Sequence, residues 1–418
     1  MGELWQLKRR LGSRILRLGC RGPDVRELHA FLRRQGYDLG EETHYGYLTK
    51  DAVRQFQRDH GLAADGIAGR RFFALVLKED LPIRRRVHVV QPQEDLADIA
   101  ARYGVGTEAF GRFAAQGIYP GQRLVFFDRE VWGICRGGSQ PERGGLPLTG
   151  VICCQPPQAP LELPCLLRPQ ELEWDVMHIH RALQTPKRRK KAAELFLAAL
   201  EQVPGACGLY VPWRAIAQLD GVRYLKLLQG LKRALGRRAM LWVELGSGIP
   251  PWTIWGGVDY AQVNEVADRV VLRLARPEEP GPLVALEPLQ AELPAVLKAV
   301  HSWKILLDVP VYAVEWELGP EGLRCTELSH QKALSKALRR GARLKRGEQG
   351  DLHYSFHSRG ARHEIHLPQQ TALAELCRLI NQRNLAGVIL DGLGLEDPRI
   401  WETLRSHFRT AALNICGQ

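Results

Sequence analysis

The sequence lacks any long apolar run. In its 418 residues no stretch approaches the roughly 20 apolar residues that a membrane-spanning helix needs. Its first ten residues, MGELWQLKRR, also lack the apolar centre of a secretory signal. We therefore expect no membrane span and synthesis in the cytoplasm. The protein then either stays there or reaches a cell wall, spore coat or cortex by a route that needs no signal peptide.

Recognisable cysteine and metal-binding patterns are also missing. The nine cysteines form no C-x-x-C pair, and their odd number and apolar surroundings favour buried, reduced thiols over a disulfide framework. The pairs His178-x-His180 and His363-x-x-His366 have no third ligand at a suitable spacing along the chain. We expect neither a metal nor a cofactor.

Aromatic residues are absent from the basic runs. Lys and Arg total 58 against 46 Asp and Glu, a formal charge of +12, with basic clusters at 84–86, 187–191 and 339–346. Such charge favours polyanionic partners. Solvated faces of helices and loops are the alternative explanation for any one cluster. Single-stranded nucleic acid is usually bound where aromatic side chains accompany the basic ones, so we expect no nucleic-acid partner. A wall polymer remains the expected polyanion.

What is present begins with a helical pattern over residues 11–78. A turn at 22–24 leads into apolar residues at helical spacing, and Thr49 is a candidate N-cap for a second helix. The turn at 65–69 precedes a third short helix. The pattern predicts a small three-helix bundle.

Four blocks of this segment resemble the bacterial peptidoglycan-binding domain of hydrolases. They are Leu18-Gly19, Tyr45-Gly46, AVRQFQ at 52–57 and DGIAG at 65–69. The resemblance implies that the segment binds the wall, and Tyr45, Tyr47 and Gln57 are its candidate contacts.

Residues 85–127 follow a β-α-α-β order. An alternating strand at 87–90 is followed by a helix that Gly104 ends, a candidate helix at 107–115 and a closing strand. The blocks IAARYGV at 99–105 and YPGQRL at 119–124 resemble a LysM domain, a module that grips chains containing N-acetylglucosamine.

The resemblance places the sugar contacts of this module on two loops. The candidate residues are Gln93, Glu94, Asp95, Ile118 and Tyr119. The first loop reads PQEDL at 92–96, where the family usually has Pro-Gly-Asp-Thr-Leu, and the Asn-Pro after the second helix is absent. Weakened sugar affinity is therefore an alternative to sugar binding.

Residues 128–145 are predicted as a linker, and 146–418 as an abbreviated (β/α)₈ TIM barrel with an α+β insertion at 329–366. Short apolar runs alternate there with helical stretches, as in a parallel βα-repeat fold. The candidate strands are Leu148–Cys153, Pro164–Leu167, Asp175–Ile179, Cys207–Val211, Ala239–Leu245, Arg269–Leu274, Lys304–Tyr312 and Ala386–Leu390. Chemistry in such a barrel lies at the carboxyl ends of its strands.

This part resembles family-18 glycoside hydrolases, particularly spore-cortex-lytic N-acetylglucosaminidases. The blocks that carry the resemblance are ADRVVL at 267–272, KILLDVPVYAVEW at 304–316 and LGLEDPRIW at 393–401. The family cuts with an Asp-x-x-Asp-x-Asp-x-Glu strand, in which the last Asp orients the acetamide and the Glu protonates the glycosidic oxygen. Here the four positions carry Cys207, Tyr210, Pro212 and Arg214. None of these can supply a carboxyl group, and arginine does not lose its proton near neutral pH.

These replacements predict a non-catalytic protein, with two binding modules and a pseudo-glycosidase barrel that bind peptidoglycan. Two alternatives stay open. One is an active glycosidase whose acids have moved to Glu244, Glu315 or Asp391, carboxylates that salt bridges to arginines would also explain. The other is a spore-coat scaffold that binds proteins.

Aromatic residues near the expected cleft bear on the same choice. Tyr210, Trp213, Trp252 and Trp255 would favour retained sugar binding if they line the cleft. Packing within the barrel explains them equally well.

Overall fold

The computed structural model describes most of the chain. It covers residues 11–410 except 13, 35–36, 38, 60–61, 77–84, 104, 111–116, 137–145, 158–162, 237, 247–255, 275–276, 278, 348–350 and 384. Across these residues we find no helix that combines the length and apolarity needed to cross a membrane.

Three helices share the first hydrophobic core. They are α1 (Pro23–Arg34), α2 (Tyr47–Asp59) and α3 (Arg70–Val76). Phe56 of α2 lies at the centre, with its ring 4.9 Å from that of Phe72 and 5.5 Å from that of Phe31. A short bridge between Leu16 and Ala68 joins the segment before α1 to the turn before α3. The apolar spacing seen in the sequence is thus the packed face of each helix.

The next unit pairs β1 (Arg85–Val89) with the first third of β2 (Arg123–Cys135) in antiparallel register. Helix α4 (Leu96–Tyr103) and a 3₁₀ turn (Thr107–Phe110) pack on this hairpin through a small apolar core. The amide of Gly106 donates to the carbonyl of Ser406, which ties the unit to the end of the barrel.

Among the described residues, eight parallel strands close into a barrel. In order around the barrel they are β2, β3 (Gly150–Cys153), β4 (Cys165–Leu167), β5 (Gly208–Val211), β6 (Met240–Gly246), β7 (Arg269–Arg273), β8 (Ile305–Pro310) and β14 (Gly387–Asp391). β14 pairs with both β8 and β2, and β2 pairs with β3, so the eight parallel strands form a closed ring. The predicted parallel barrel is confirmed.

Helices cover the outside of the barrel. They are α5 (Val176–Leu183), α6 (Pro186–Glu201), α7 (Gly221–Leu235), α8 (Tyr260–Val266), α9 (Leu286–Ala299), α11 (Gln370–Arg383) and α12 (Ile400–His407). The strand predicted at Asp175–Ile179 is wrong. Asp175 is the N-cap of α5 and its side chain accepts from the amide of His178, so its polar atoms stabilise a helix start.

The first barrel strand lies where the sequence predicts a linker. Residues 128–135 of the predicted linker 128–145 belong to β2. This stretch looks polar because Arg129 and Glu130 lie within it, yet both are buried. Glu130 forms an ion pair with Arg269 of β7, with 2.7 Å between Oε1 and Nη2, at the amino-terminal side of the barrel. Because two of its residues are charged although buried, this core strand cannot be recognised from an apolar pattern in the sequence.

An α+β insertion follows β8. Its five-stranded antiparallel sheet is made of β9 (Ala313–Gly319), β10 (Gly322–Leu328), β11 (Lys345–Arg346), β12 (Leu352–Ser358) and β13 (Ala361–Leu367). Helix α10 (His330–Arg340) packs on one face of this sheet. The insertion begins earlier than the predicted 329–366, because the β9–β10 hairpin belongs to it.

Candidate active site at the carboxyl end of the barrel

Seven of the eight barrel strands deliver one polar side chain to the carboxyl end of the barrel. We call this set the polar ring: Arg136 after β2, Arg168 after β4, Tyr210 of β5, Glu244 of β6, Arg273 of β7, Asp308 of β8 and Asp391 of β14. Side chains alternate between the two faces of a strand, so one register position on each parallel strand points inward at the same height.

Arg273 joins the three carboxylates of the ring. Its guanidinium lies 2.8 Å from Asp391 Oδ2, 3.6 Å from Asp308 Oδ2 and 3.9 Å from Glu244 Oε1. Burial acts to lower the pKa of Arg273, but the charges of Asp308, Glu244 and Asp391 outweigh it and raise that pKa. One cation thus holds three acids from β6, β8 and β14 together.

Two more arginines complete the ring. Arg136 donates to Asp391 over 2.7 Å, pairs with Glu327 of the insertion, and stacks 4.7 Å above the ring of Tyr312. On the other side, Arg168 lies 3.8 Å from Glu244, to which the hydroxyl of Tyr210 donates over 2.8 Å.

Asp308 differs from the other acids of the ring. Neither of its carboxyl oxygens has a hydrogen-bond partner among the described residues, and the side chain is buried. Burial raises the pKa of Asp308 to about 8, with Asp391 and Glu244 adding to the rise and Arg273 opposing it. A carboxyl with this pKa carries its proton at neutral pH, which is the state required of a general acid.

The four positions of the family-18 acid motif are separated by the structure. Cys207 and Tyr210 are buried inside the barrel, and Tyr210 belongs to the polar ring. Pro212 is buried just beyond the end of β5, and Arg214 is exposed. Of these four residues, Tyr210 contacts an acid of the polar ring, Glu244.

The cleft aromatics are mostly packing residues. Trp213 is fully buried between the barrel and its helices, stacks 5.4 Å from Trp174, and donates to the carbonyl of Leu172. It does not line the cleft, so its assignment as a glycan contact is wrong. Trp252 and Trp255 lie outside the described residues.

Two of the three candidate acids lie in the polar ring and the third does not. Glu244 and Asp391 lie in the polar ring, each bonded to arginine as the salt-bridge reading expected. Glu315 is on β9 of the insertion, bonded to Lys336 and to His363 Nδ1 at 2.9 Å. It is therefore outside the ring.

Two of the three wall contacts predicted on the helical module are core residues. Tyr45 is fully buried, and its hydroxyl donates to the carbonyl of Gly66. Gln57 is buried and satisfies three groups of the 65–67 turn. Both predictions are wrong because these polar atoms serve the fold. Tyr47 is 73% exposed and remains a candidate contact.

The candidate contacts of the second module lie on or near the surface, and some of them form hydrogen bonds or ion pairs within the protein. Gln93 is exposed and has a positive φ of 71°, and Tyr119 is 65% exposed. Glu94 accepts from the amide of Gln91 and bonds His88 and Arg102, and these contacts lower the pKa of Glu94 to about 2. The remaining two have smaller roles: Asp95 caps the first turn of α4 by accepting from the Asp98 amide, and Ile118 packs partly against the core.

Four members of the ring were not identified from the sequence: Arg136, Arg168, Arg273 and Asp308. Each lies within or directly after a short apolar run, as Asp308 does in ILLDVP at 305–310. A charged residue at the carboxyl end of an apolar strand was the available signal.

Comparisons with known proteins give a family match for the amino-terminal helical segment and solved structures that share the fold. Residues 21–75 match the family described as putative peptidoglycan binding domain, which confirms the predicted peptidoglycan-binding domain and supports a peptidoglycan partner. No curated protein matches the sequence.

Solved structures show the fold. The spore cortex-lytic enzyme SleL of Bacillus megaterium is 17% identical with a TM-score of 0.57, covering 78% of this chain and 87% of its own. SleL of Bacillus cereus is 16% identical with a TM-score of 0.57, covering 87% and 94%. A chitinase from Chromobacterium violaceum is 18% identical with a TM-score of 0.55, covering 67% and 98%.

The prediction that the chain is not an enzyme is contradicted by these comparisons. The structures that share its fold are cortex-lytic enzymes and chitinases by name. The residues at Cys207, Tyr210, Pro212 and Arg214 do not by themselves exclude catalysis, since three other strands bring acids to the same end of the barrel.

Proposed function

We propose that this protein is a glycoside hydrolase directed to peptidoglycan, whose acids lie on β6, β8 and β14. The observation that carries the proposal is the acid cluster around Arg273 at the carboxyl end of a closed barrel, where burial raises the pKa of Asp308. This is the end at which barrels of this architecture carry out their chemistry.

In this proposal Asp308 is the proton donor to the glycosidic oxygen. Its pKa of about 8 keeps it neutral at pH 7. Proton donation of this kind is typically worth about 10²–10⁴ in rate. After the bond breaks, the carboxylate that remains on Asp308 is stabilised by Arg273, whose guanidinium lies 3.6 Å away.

The two other acids of the ring supply negative charge. Cleavage of a glycosidic bond passes through a cationic, oxocarbenium-like transition state, which a nearby carboxylate stabilises. Asp391 lies at the carboxyl end of β14, between Arg136 and Arg273. Tyr210 orients Glu244 through its hydrogen bond. In the proposal, Asp391 faces the sugar, and Glu244 adds negative electrostatic potential from deeper in the barrel.

Substrate enters beside the two arginines that reach solvent. The side chains of Arg136 and Arg273 are 37% and 20% exposed, whereas Asp391 beneath them is 4% exposed. Guanidinium groups at this entrance donate to the hydroxyl, acetamide and carboxylate oxygens that peptidoglycan presents.

The amino-terminal units direct the barrel to its substrate. The peptidoglycan-binding domain contributes Tyr47, and the second unit, proposed as a LysM module, contributes Gln93 and Tyr119 from its loops. We place the protein at a cell wall or spore cortex, with N-acetylglucosamine-containing glycan as its ligand.

The test is hydrolysis of purified peptidoglycan by the full chain and by Asp308→Asn, followed as new reducing ends. We expect turnover by the unmodified protein and a fall of about 10²-fold or more in the variant. Asp268→Asn is the matched control, because Asp268 bonds Lys232 and the Leu241 amide near the opposite end of the barrel. Equal activity of the two variants would refute the role of Asp308.

A further inference from the structure

Three potential metal ligands converge on the insertion sheet, away from the polar ring. Asp351 directly precedes β12, His353 is its second residue, and His366 is on β13 directly opposite His353 in the antiparallel register. One ligand atom from each of the three lies within 4.8 Å of the others. The two imidazole rings are stacked, with centroids 5.1 Å apart and an interplanar angle of 17°.

The Nδ1 atoms of both histidines lie near the same carboxylate oxygen. His366 Nδ1 is 2.8 Å from Asp351 Oδ2, and His353 Nδ1 is 3.8 Å from that oxygen. In a tetrahedral zinc site with bonds of about 2.0–2.1 Å, neighbouring ligand atoms are roughly 3.3 Å apart. The two observed separations bracket that value, so small side-chain adjustments would place all three atoms around one ion.

One atom of the cluster is left without a partner by the protein alone. His353 Nδ1 is buried and has no hydrogen bond among the described residues. A buried polar atom of this kind costs free energy unless something binds it. Because Asp351 Oδ2 is taken by His366, hydrogen bonding within the cluster satisfies only one of the two Nδ1 atoms.

We propose that Asp351, His353 and His366 form a binding site for a divalent transition metal, with zinc as the best-suited ion. Two imidazole nitrogens and one carboxylate oxygen are ligands that Zn²⁺ accepts, and three protein ligands leave the fourth position to water. The side chain of His353 is 28% exposed, which gives the ion and the water a path to the site.

A fourth side chain orients one ligand as metal sites require. His366 Nε2 lies 3.2 Å from Glu364 Oε1, so with an ion bound at Nδ1 the other ring nitrogen would carry the proton and donate it to this carboxylate. This second contact fixes the ring and the tautomer that leaves Nδ1 free for metal.

Spacing along one strand predicts no metal site here, since His363 and His366 have no third ligand nearby in the sequence. Residues i and i+3 of a strand point to opposite faces, so His363 and His366 are not joint ligands. His363 faces α10, where it bonds Glu315 and stacks 4.7 Å from Phe356. The partners of His366 come from the neighbouring strand, with no spacing that a linear motif would show.

Cobalt is the probe that tests this proposal. The full chain is stripped with a chelator and titrated with Co²⁺, and then Zn²⁺ is added in competition. We expect one tightly bound equivalent with the intense visible bands of four-coordinate cobalt and no sulfur-to-cobalt charge-transfer bands. That spectrum separates this site from binding by the buried cysteines at 153, 165 and 207.

Variants assign the site to its residues. His353→Gln should weaken cobalt binding at least about 100-fold, and Glu364→Gln about 10–100-fold through loss of ligand orientation. His363→Gln is the matched control and should bind as the unmodified chain does. Circular dichroism checks that each variant is folded. The proposal is wrong if the unmodified chain binds no cobalt, if sulfur bands dominate, or if His353→Gln and Glu364→Gln both bind normally.

Discussion

Replacing Asp308 by asparagine removes a buried titrating group while keeping the shape of its side chain. Asp308 has a pKa of about 8 in the folded protein and near 3.8 when unfolded, a difference of about four pH units. Between these two values the folded chain holds one proton more than the unfolded chain. The contribution of the neutral Asp308 carboxyl to the free energy of unfolding is therefore complete below pH 4 and is lost as the pH rises to 8.

The size of the effect follows from one proton. The free energy of unfolding of the unmodified protein should fall by about 1.4 kcal/mol per pH unit between pH 4 and 8 relative to Asp308→Asn. The variant's advantage therefore grows with pH and levels off once the pH exceeds the pKa of Asp308 in the folded protein.

Urea unfolding at pH 5, 6, 7 and 8 measures this difference. The buried indoles of Trp132 and Trp242, packed 4.8 Å apart inside the barrel, report on unfolding of the barrel. The stability difference between variant and unmodified protein should widen at each step. Parallel pH profiles, or a variant that is less stable at pH 8 than at pH 5 relative to the unmodified chain, would refute the assignment of a protonated Asp308.

Three further changes test other parts of the structure. Tyr210→Phe removes the hydroxyl that donates to Glu244 over 2.8 Å. Urea unfolding should show a decrease of about 1.5–3 kcal/mol in the free energy of unfolding, and an unchanged urea midpoint would contradict the buried hydrogen bond. Glu130→Ala leaves Arg269 buried without its partner, and the same assay should show a loss of about 3–5 kcal/mol; a loss below 1 kcal/mol would mean that the pair is hydrated. Tyr47→Ala should reduce retention on insoluble peptidoglycan, with a further fall at about 1 M salt, where charges are screened within about 3 Å; retention unchanged by either would exclude the tyrosine and the electrostatic component.

The fold was predictable where apolar pattern and burial agree. Seven of the eight barrel strands carry short apolar runs that the sequence marks clearly, such as Ile305–Pro310. The first strand was not predicted because Arg129 and Glu130 are charged and yet buried. The ion pair between Glu130 and Arg269, which stabilises the buried carboxylate, is visible only in the structure. Asp175–Ile179 resembles a short strand in the sequence because the first turn of an N-capped helix with an apolar stripe also places apolar residues beside polar ones.

The candidate site was predictable only in part. The sequence shows that Pro212 and Arg214 carry no carboxyl group, but which acids meet at the end of the barrel depends on its closure. Asp308 and Arg273 lie 35 residues apart in the chain, and they meet because β7 and β8 are neighbours in the sheet. Tyr45 looked like a ligand contact because burial of its ring cannot be read from its residue type.

The most direct test of the proposed glycosidase activity is mass spectrometry of what the full chain releases from purified spore-cortex peptidoglycan. We expect soluble glycan fragments with new reducing ends, released well above buffer by the unmodified protein and by Asp268→Asn. Asp308→Asn should still sediment with the peptidoglycan through its amino-terminal units but release about 10²-fold less, or nothing above buffer. Firm binding by the unmodified protein with no fragments released would refute the proposed activity, and equal release by Asp308→Asn would refute the role of Asp308.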